Sequence, residues 1–284
     1  MVELSPRKTI KVVGPYVISS KIGEGDVGEA FQGYLKDDPN KLLVVKQIKV
    51  SAEGDDFLNL KKTLEEHFSP MKTLKFDYVK KLYDVVLTQN NLYMFSEFCD
   101  GGNLGSLAGK ISLDNTLICM KQLIKGLLSI SSQGIVHRDL KPSNIYFHEG
   151  EVKIGNLGII GFLEKSIASK CKIASKKKNP FYIAPEVFFK EDYDQKCDVW
   201  SAGVIFFELI YKKHPWYCSG MGVSELFTNI TSNPLKIPEE PKVSQLIKEV
   251  LQSMLQARQD YRITFGELIN HDLFQKKLPS KLLK

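Results

Sequence analysis

Nothing in these 284 residues stays apolar for long enough to cross a bilayer. A spanning helix needs about 18 or more consecutive apolar residues, and the most apolar long stretch, Gly203 to Tyr211, is interrupted by Glu208. No membrane association is therefore expected. Cysteine is sparse: Cys99, Cys119, Cys171, Cys197 and Cys218 are odd in number, scattered, and nowhere spaced C-x-x-C. That excludes a zinc knuckle or a dithiol redox pair and fits reduced thiols. The N-terminus, MVELSPRKTIKVV, has no apolar core followed by a small-residue cleavage site. No secretory signal is expected, and a cytoplasmic location is the default. Internal repeats, Pro/Gly/Ser linkers and low-complexity tracts are missing too, so nothing splits the chain beyond two joined lobes. Charge is nearly balanced, 39 Lys and Arg against 33 Asp and Glu for +6, with 43% hydrophobic residues. Disorder needs a more polar, more charged chain.

The composition changes near residue 100. Before it, short runs rich in Val, Ile, Tyr and Phe predict five strands at Tyr16 to Ile22, Glu29 to Leu35, Leu42 to Val50, Val79 to Thr88 and Leu92 to Phe98. Turn chemistry separates neighbours at Asp37-Asp38-Pro39-Asn40 and Gln89-Asn90-Asn91. One helix interrupts them at about Phe57 to Leu74, where Pro70 should kink it or cost about 3 kcal/mol. Beyond residue 101 the apolar period lengthens. Leu117, Met120, Ile124, Leu127 and Leu128 form a helical stripe with Asp114 as the expected N-cap. Further helices are expected at Asp198 to Tyr211, Val243 to Gln256 and Thr264 to Ile269.

Two groups of residues carry chemistry. Gly23, Gly25 and Gly28 make G-x-G-x-x-G between two expected strands, where missing Cβ atoms let a backbone approach phosphate; alone this is also simply a glycine-containing hairpin. The next strand carries Val44-Val45-Lys46, a lysine placed to offset phosphate charge. The octet His137-Arg138-Asp139-Leu140-Lys141-Pro142-Ser143-Asn144 combines a carboxylate, a cation and a metal-capable amide.

With that octet the sequence resembles the protein kinase family, and Ala184-Pro185-Glu186, Asp198-Val199-Trp200 and Arg262 follow in the family's order. The resemblance covers roughly Tyr16 to Phe274 and implies an α+β, two-lobed protein kinase fold. Residues 1–15 would be an N-terminal extension, 16–96 a five-stranded β-rich small lobe, 97–102 a hinge, 103–274 an α-rich large lobe, and 275–284 a basic tail expected to fray. Lys141 favours the Ser/Thr type, in an unc-51-like or calcium/calmodulin-dependent-like branch. The resemblance also implies roles: Asp139 receives the substrate hydroxyl proton, Lys141 steadies the phosphoryl group, and Asn144 holds a metal. Glu97 to Cys99 would meet adenine, and Glu186 would pair with Arg262 to support the fold. Ser96, just before the hinge, would leave a back pocket open or serve as a satisfied strand serine.

Several positions depart from the family. Where its D-F-G aspartate would hold magnesium, this chain has Asn156-Leu157-Gly158, and a neutral amide is a weak ligand for a hard cation. Counting back from Val79-Lys80-Lys81-Leu82 puts His67, not a glutamate, opposite Lys46; a one-residue slip would offer Glu66 instead. The same register puts Met71 in a stack with Leu82, Leu157 and His137. Bulk is exchanged between Ala30 and Val44 over adenine, and Tyr146 stands where a leucine is usual, overfilling that costs about 1 to 3 kcal/mol. Asn179 replaces a threonine that would bond Asp139, and Asp26 adds a carboxylate to the glycine loop. These changes touch nucleotide, Mg²⁺ or catalytic geometry, whereas the matching residues serve the fold. The sequence therefore reads as a pseudokinase regulator or scaffold with ATP and Mg²⁺ weak or absent. An active Ser/Thr kinase and a nucleotide-sensing module remain as alternatives.

From Lys165 to Lys178 there are six lysines and no acidic residue. This is a solvated loop or a surface for an acidic protein partner. Ser166, Ser169 or Ser175 could carry phosphate there, with Arg138 as its receptor. No aromatics interleave with the lysines, which disfavours nucleic acid.

Overall fold

The computed structural model describes residues 11–25, 28–51, 54–107, 109–159, 162, 172–173, 180–276 and 278–282. Two compact units emerge. The first takes the described residues of Met1–Lys75, Lys80–Phe98 and Gly158–Lys178; the second takes Phe76–Val79, Cys99–Leu157 and those of Asn179–Lys284.

The first unit is an antiparallel sheet with one helix. Strands β1 (Lys11–Val13), β2 (Tyr16–Glu24), β3 (Glu29–Leu35), β4 (Asp38–Ser51), β5 (Leu82–Leu87) and β6 (Asn91–Glu97) lie in the order β1-β2-β3-β4-β6-β5. Five strands were expected. The sixth, β1, comes from the expected N-terminal extension, turns at Gly14 (φ +55°) and pairs Val13 with Tyr16. The turn between β3 and β4 is also tighter than expected: it closes at Lys36 and Asp37, and Asp38-Pro39-Asn40 already belong to β4.

Alternation of side chains assigns the two faces. Leu43 and Val45 on β4 pack with Tyr16, Ile18, Phe31, Tyr93 and Phe95, where Tyr16 stacks on Phe95 with centroids 3.8 Å apart. Ile48, Val50, Leu92 and Met94 face the other way, toward helix α1 (Gly54–Thr73). Burial of Leu60, Leu64 and Phe68, four residues apart, makes the stripe that α1 lays on them. Asp55 and Asp56 in its first turn and Lys72 in its last suit the helix dipole. Lys72 also fixes the helix end to β5 through Asp84, 2.6 Å away. Pro70 does not end the helix. It lies in the last turn, where only one backbone bond is forgone, and its carbonyl accepts from Leu74 N and the Thr73 hydroxyl.

The second unit is mainly helical. Helix α2 (Leu113–Ser131) runs through its centre, with Met120, Leu123, Ile124 and Leu127 fully buried. Its N-cap is Ser112 rather than Asp114: the Ser112 hydroxyl accepts from Asn115 N, and Asp114 stands in the first turn. The helix Lys196–Tyr211 is buried on nearly every side, so it reads as an apolar run instead of an amphipathic stripe. Short strands β7 (Ile145–His148) and β8 (Glu151–Ile154) form a hairpin against α2. Helices Gln245–Met254 and Phe265–Asn270 complete the core, the latter started by a capping box between Thr264 and Glu267.

One buried ion pair ties this unit together. Arg262 Nη1 and Nη2 donate to Glu186 Oε1 and Oε2 at 2.6 and 3.0 Å, and its remaining N–H groups reach the carbonyls of Gln256, Lys196 and Ala257. Every donor of the guanidinium is used, the condition under which a buried charge is tolerated. Replacing Arg262 with Met strands the Glu186 carboxylate, and urea unfolding should show a loss of about 3 to 5 kcal/mol.

His214 generates a second expectation. Its Nε2–H donates to the Phe181 carbonyl while Nδ1 accepts from Trp216 N and Tyr217 N. Burial lowers its pKa to about 4. The folded state thus takes up a proton less readily than the unfolded chain. Its contribution is full above about pH 6.5 and is lost as pH falls toward 4, by roughly 3 kcal/mol. Stability measured against pH should lose that part of its acid slope in His214→Asn.

Candidate functional site

The chemistry-bearing residues fall in both units, and each unit builds its share independently. In the first, β2 and β3 carry the glycine loop. Gly25 N donates to the Gly28 carbonyl at 2.9 Å to close the turn. Gly28 sits at φ +82°, where a Cβ would lie 2.1 Å from the Gln47 carbonyl oxygen of β4. No other residue fits there. Around Gly23 and Gly25 a Cβ would meet nothing closer than 3.8 Å, so their glycine character is not demanded by packing. Asp26 lies outside the described residues.

Register pairs Ala30 with Lys46, Val44 with Ser96, and Lys46 with Met94. Directly paired residues share a face, so Ala30, Val44, Lys46, Met94 and Ser96 stand together on the face that also carries Ile48 and Val50. Lys46 is half-buried there. The Ser96 hydroxyl reaches the Val44 carbonyl at 3.5 Å, nearer a satisfied strand serine than an open pocket. Glu97, at the end of β6, holds Lys81 N with its carboxylate and Lys81 O with its own N–H.

On α1 the register places His67 inward and Glu66 outward. Glu66 is two-thirds exposed and lies 3.9 Å from Lys62. His67 Nε2 meets the Gly158 carbonyl at 2.8 Å, and its ring contacts Phe68 and Phe162. Phe162 and Ile159, just past Gly158, are inserted into the apolar layer beneath α1 with Leu60, Leu64 and Phe68. Met71 and Leu82 pack against the same layer. The chain approaches so closely that a Cβ on Gly158, at φ +77°, would stand 2.6 Å from the Met71 side chain. Farther along, Lys172 and Ile173 form a two-residue strand, β9, paired with Ser51 and Val50. Apart from Lys172, the other five lysines between Lys165 and Lys178, with Ser166, Ser169, Ser175 and Asn179, lie outside the described residues.

In the second unit, Asp198 holds the octet in place. Its carboxylate accepts from His137 N at 2.7 Å and Arg138 N at 2.9 Å, which stabilises the left-handed turn at Arg138 (φ +67°). Burial raises the Asp198 pKa, against the pull of His137, Arg138 and the two N–H bonds. His137 is fully buried; Nε2 donates to the Gly155 carbonyl and Nδ1 accepts from Asp139 N. The turn presents Asp139, whose Oδ1 accepts from Lys141 Nζ at 3.0 Å and Oδ2 from Asn144 Nδ2 at 2.9 Å. Asn144 Nδ2 also bonds the Asp139 carbonyl at 2.7 Å. Carboxylate, ammonium and amide are thus locked into one cluster.

Asn156 joins that cluster from the strand β8 side. Its backbone adopts φ +62°, which asparagine tolerates better than most residues. Its Nδ2 donates to Asn144 Oδ1 at 2.5 Å. The oxygen that Asn144 would offer a metal thereby already accepts one hydrogen bond from its neighbour's amide. Among the described residues no group of three or more His, Cys, Asp and Glu is arranged to hold a metal ion. Asn144 and Asn156 bring neutral amide oxygens, weaker ligands for a hard divalent cation than carboxylates, beside the Asp139 carboxylate. Tyr146 lies in β7, bridged to Asn103, and burial followed by Cys99 raises its phenol pKa. Leu157 packs on the core of this unit. The sequence reading did not single out Tyr193, whose ring lies under the Arg138 guanidinium at 5.4 Å; nothing in the spacing signals it.

A family model, the protein kinase domain, matches residues 16–274. The chain belongs to the protein kinase family. Serine/threonine-protein kinase atg1 of Dictyostelium discoideum is 29% identical over 273 residues, 92% of this chain and 39% of the relative. Human serine/threonine-protein kinase ULK1 is 28% identical over 280 residues, 92% of this chain and 25% of the relative. Serine/threonine-protein kinase 4 homolog A of Dictyostelium discoideum is 27% identical over 98% of this chain and 60% of the relative. This chain therefore spans a quarter to three-fifths of these relatives. Of the two branches that the sequence resembles, the relatives support the unc-51-like one.

Gly158 yields a test of the α1 packing. A positive φ alone makes Gly158→Ala unfavourable by about 1 to 2 kcal/mol. The Met71 contact should raise the loss above that, and Met71→Ala should recover the excess in a double-mutant cycle read by denaturant unfolding.

Proposed function

We propose that this kinase domain acts mainly as a pseudokinase regulator or scaffold that handles ATP and Mg²⁺ poorly. The observation that carries this reading is the Asn156–Asn144 amide pair. An aspartate at 156 has no proton to donate and would leave both oxygens turned toward a cation. The asparagine instead satisfies Asn144 and adds no charge. His67 supports the same reading, because it gives α1 a partner in the Gly158 carbonyl where a glutamate would give it a cation. Its occupant on the partner side would be a protein, with the lysines between Lys165 and Lys178 meeting an acidic surface.

The second reading, an active Ser/Thr kinase, rests on Asp139, Lys141 and Asn144. Those three are assembled at hydrogen-bond distances, so Asp139 is held where it could receive a hydroxyl proton.

A radiometric transfer assay in Mg²⁺ and then Mn²⁺, paired with Mn²⁺ binding read by electron paramagnetic resonance, decides between them. The wild type should transfer little with either metal. Asn156→Asp should tighten Mn²⁺ binding by about tenfold or more, equivalent to about 1.4 kcal/mol. Brisk wild-type transfer with Mg²⁺, abolished by Asp139→Ala, would overturn the proposal in favour of the active enzyme.

A further inference from the structure

The basic tail was expected to fray, yet its described part is anchored at three successive points. Lys121 Nζ donates to the Lys276 carbonyl at 3.2 Å, Gln122 Nε2 to the Ser280 carbonyl at 2.6 Å, and Leu282 N to the Gly150 carbonyl at 3.0 Å. The Leu282 side chain packs against the core of the second unit, and Lys281 approaches Gly150. The residues that receive the tail lie on α2 and on the turn between β7 and β8.

Gln122 is the decisive residue. It is 4% exposed among the buried, mostly apolar side chains of α2, a place where an amide needs partners on both sides. It has them. Oε1 accepts from Val152 N of β8 at 2.8 Å, and Nε2 donates to the tail. One side chain therefore grips the β7–β8 hairpin with one end and residue 280 with the other. The hairpin turn, Glu149 at φ +50° and Gly150 at φ +79°, offers its carbonyl to Leu282. From the same hairpin Tyr146 and, immediately before it, Asn144 project, and Gly155 N just after β8 bonds the Asn144 carbonyl.

We propose that residues 276 and 278–282 form an intramolecular strap, tied across α2 and the β7–β8 turn. Through Gln122 and Gly150 the strap sets the rigidity of the hairpin that carries Tyr146 and Asn144. Its occupant is this chain's own tail, recognised mainly through main-chain groups and one apolar side chain, Leu282. Drawing the tail away would free one end of the Gln122 amide and the turn carbonyl together, and the hairpin would loosen. This does not depend on whether the domain transfers phosphate.

Val152 N supplies a specific reporter, since its partner is the Gln122 side chain. Amide exchange should be compared between the full chain, a version ending at Gln275, and Leu282→Asp. Both variants should show at least tenfold faster exchange at Val152 and across 145–154, and a midpoint of thermal unfolding lower by about 3 °C or more. A synthetic peptide of residues 276–284, added in excess to the shortened chain, should slow that exchange again. Unchanged exchange at 145–154 in both variants overturns the proposal. So does a lowered midpoint without a change there, because the tail would then stabilise the unit without reaching the hairpin.

Discussion

A carboxamide carries a donor and an acceptor on one planar group, so two of them can satisfy each other with no third participant. Two oxygens meant for a cation cannot do this, because lone pairs facing each other repel until a positive charge comes between them. The pair Asn144 and Asn156 shares one such donor-to-acceptor bond. Asn144 gives its N–H to Asp139 and takes the N–H of Asn156, so the three side chains close on one another, with Lys141 paired to Asp139. On the reading proposed here, this closure decides the behaviour of the domain: its resting arrangement leaves no electrostatic demand for a divalent ion to fill. The surrounding fold is built to present the cluster rigidly, since Asp198 fixes the turn at Arg138 and the β7–β8 hairpin fixes Asn144.

A similar substitution of partner occurs on α1. A glutamate at the position of His67 would bring a charge to the helix face and need a cation to balance it. The imidazole needs only one acceptor, and the Gly158 carbonyl provides it at 2.8 Å. Around that bond Phe162 and Ile159 fill the layer with Phe68, so the inner face of α1 is held by apolar contact, while the Lys72–Asp84 pair ties its end to β5. Apolar contact, unlike an ion pair, is not screened by salt, and truncating either buried phenylalanine would leave a cavity. The segment following Gly158 thus stabilises the helix instead of standing apart from it.

Much of this was legible in the sequence, and the part that was not follows a rule. Motifs whose residues are adjacent, such as the His137 to Asn144 octet, reveal their chemistry directly because the backbone itself fixes their spacing. Burial of Glu186 with Arg262 was legible through the family resemblance, although 76 positions separate the two. The choice between Glu66 and His67 was not, since adjacent positions on a helix differ in direction by about 100° and only the packing of Leu60, Leu64 and Phe68 sets the absolute rotation. Strand β1 escaped because three residues with one buried side chain make no periodic signal. The amide pair and the Gln122 bridge escaped for a different reason: each depends on where one side-chain nitrogen points, and no sequence pattern encodes that.

The distribution of kept and altered charges has an energetic logic of its own. Glu186 and Arg262 are buried with every group satisfied, so changing either one alone strands a charge in a low-dielectric interior and threatens the fold. The position of Asn156 is different. An aspartate there would share Asn144 with Asp139, placing two carboxylates against one amide, with Lys141 bound to the first of them. Without a metal that arrangement is repulsive, and the asparagine removes the repulsion while adding a hydrogen bond. A chain released from the need to bind Mg²⁺ gains stability by this exchange, whereas a chain that depends on the metal forfeits its anchor. On the proposed reading, the same single atom, nitrogen in place of oxygen, favours the metal-free cluster over one that would need an ion.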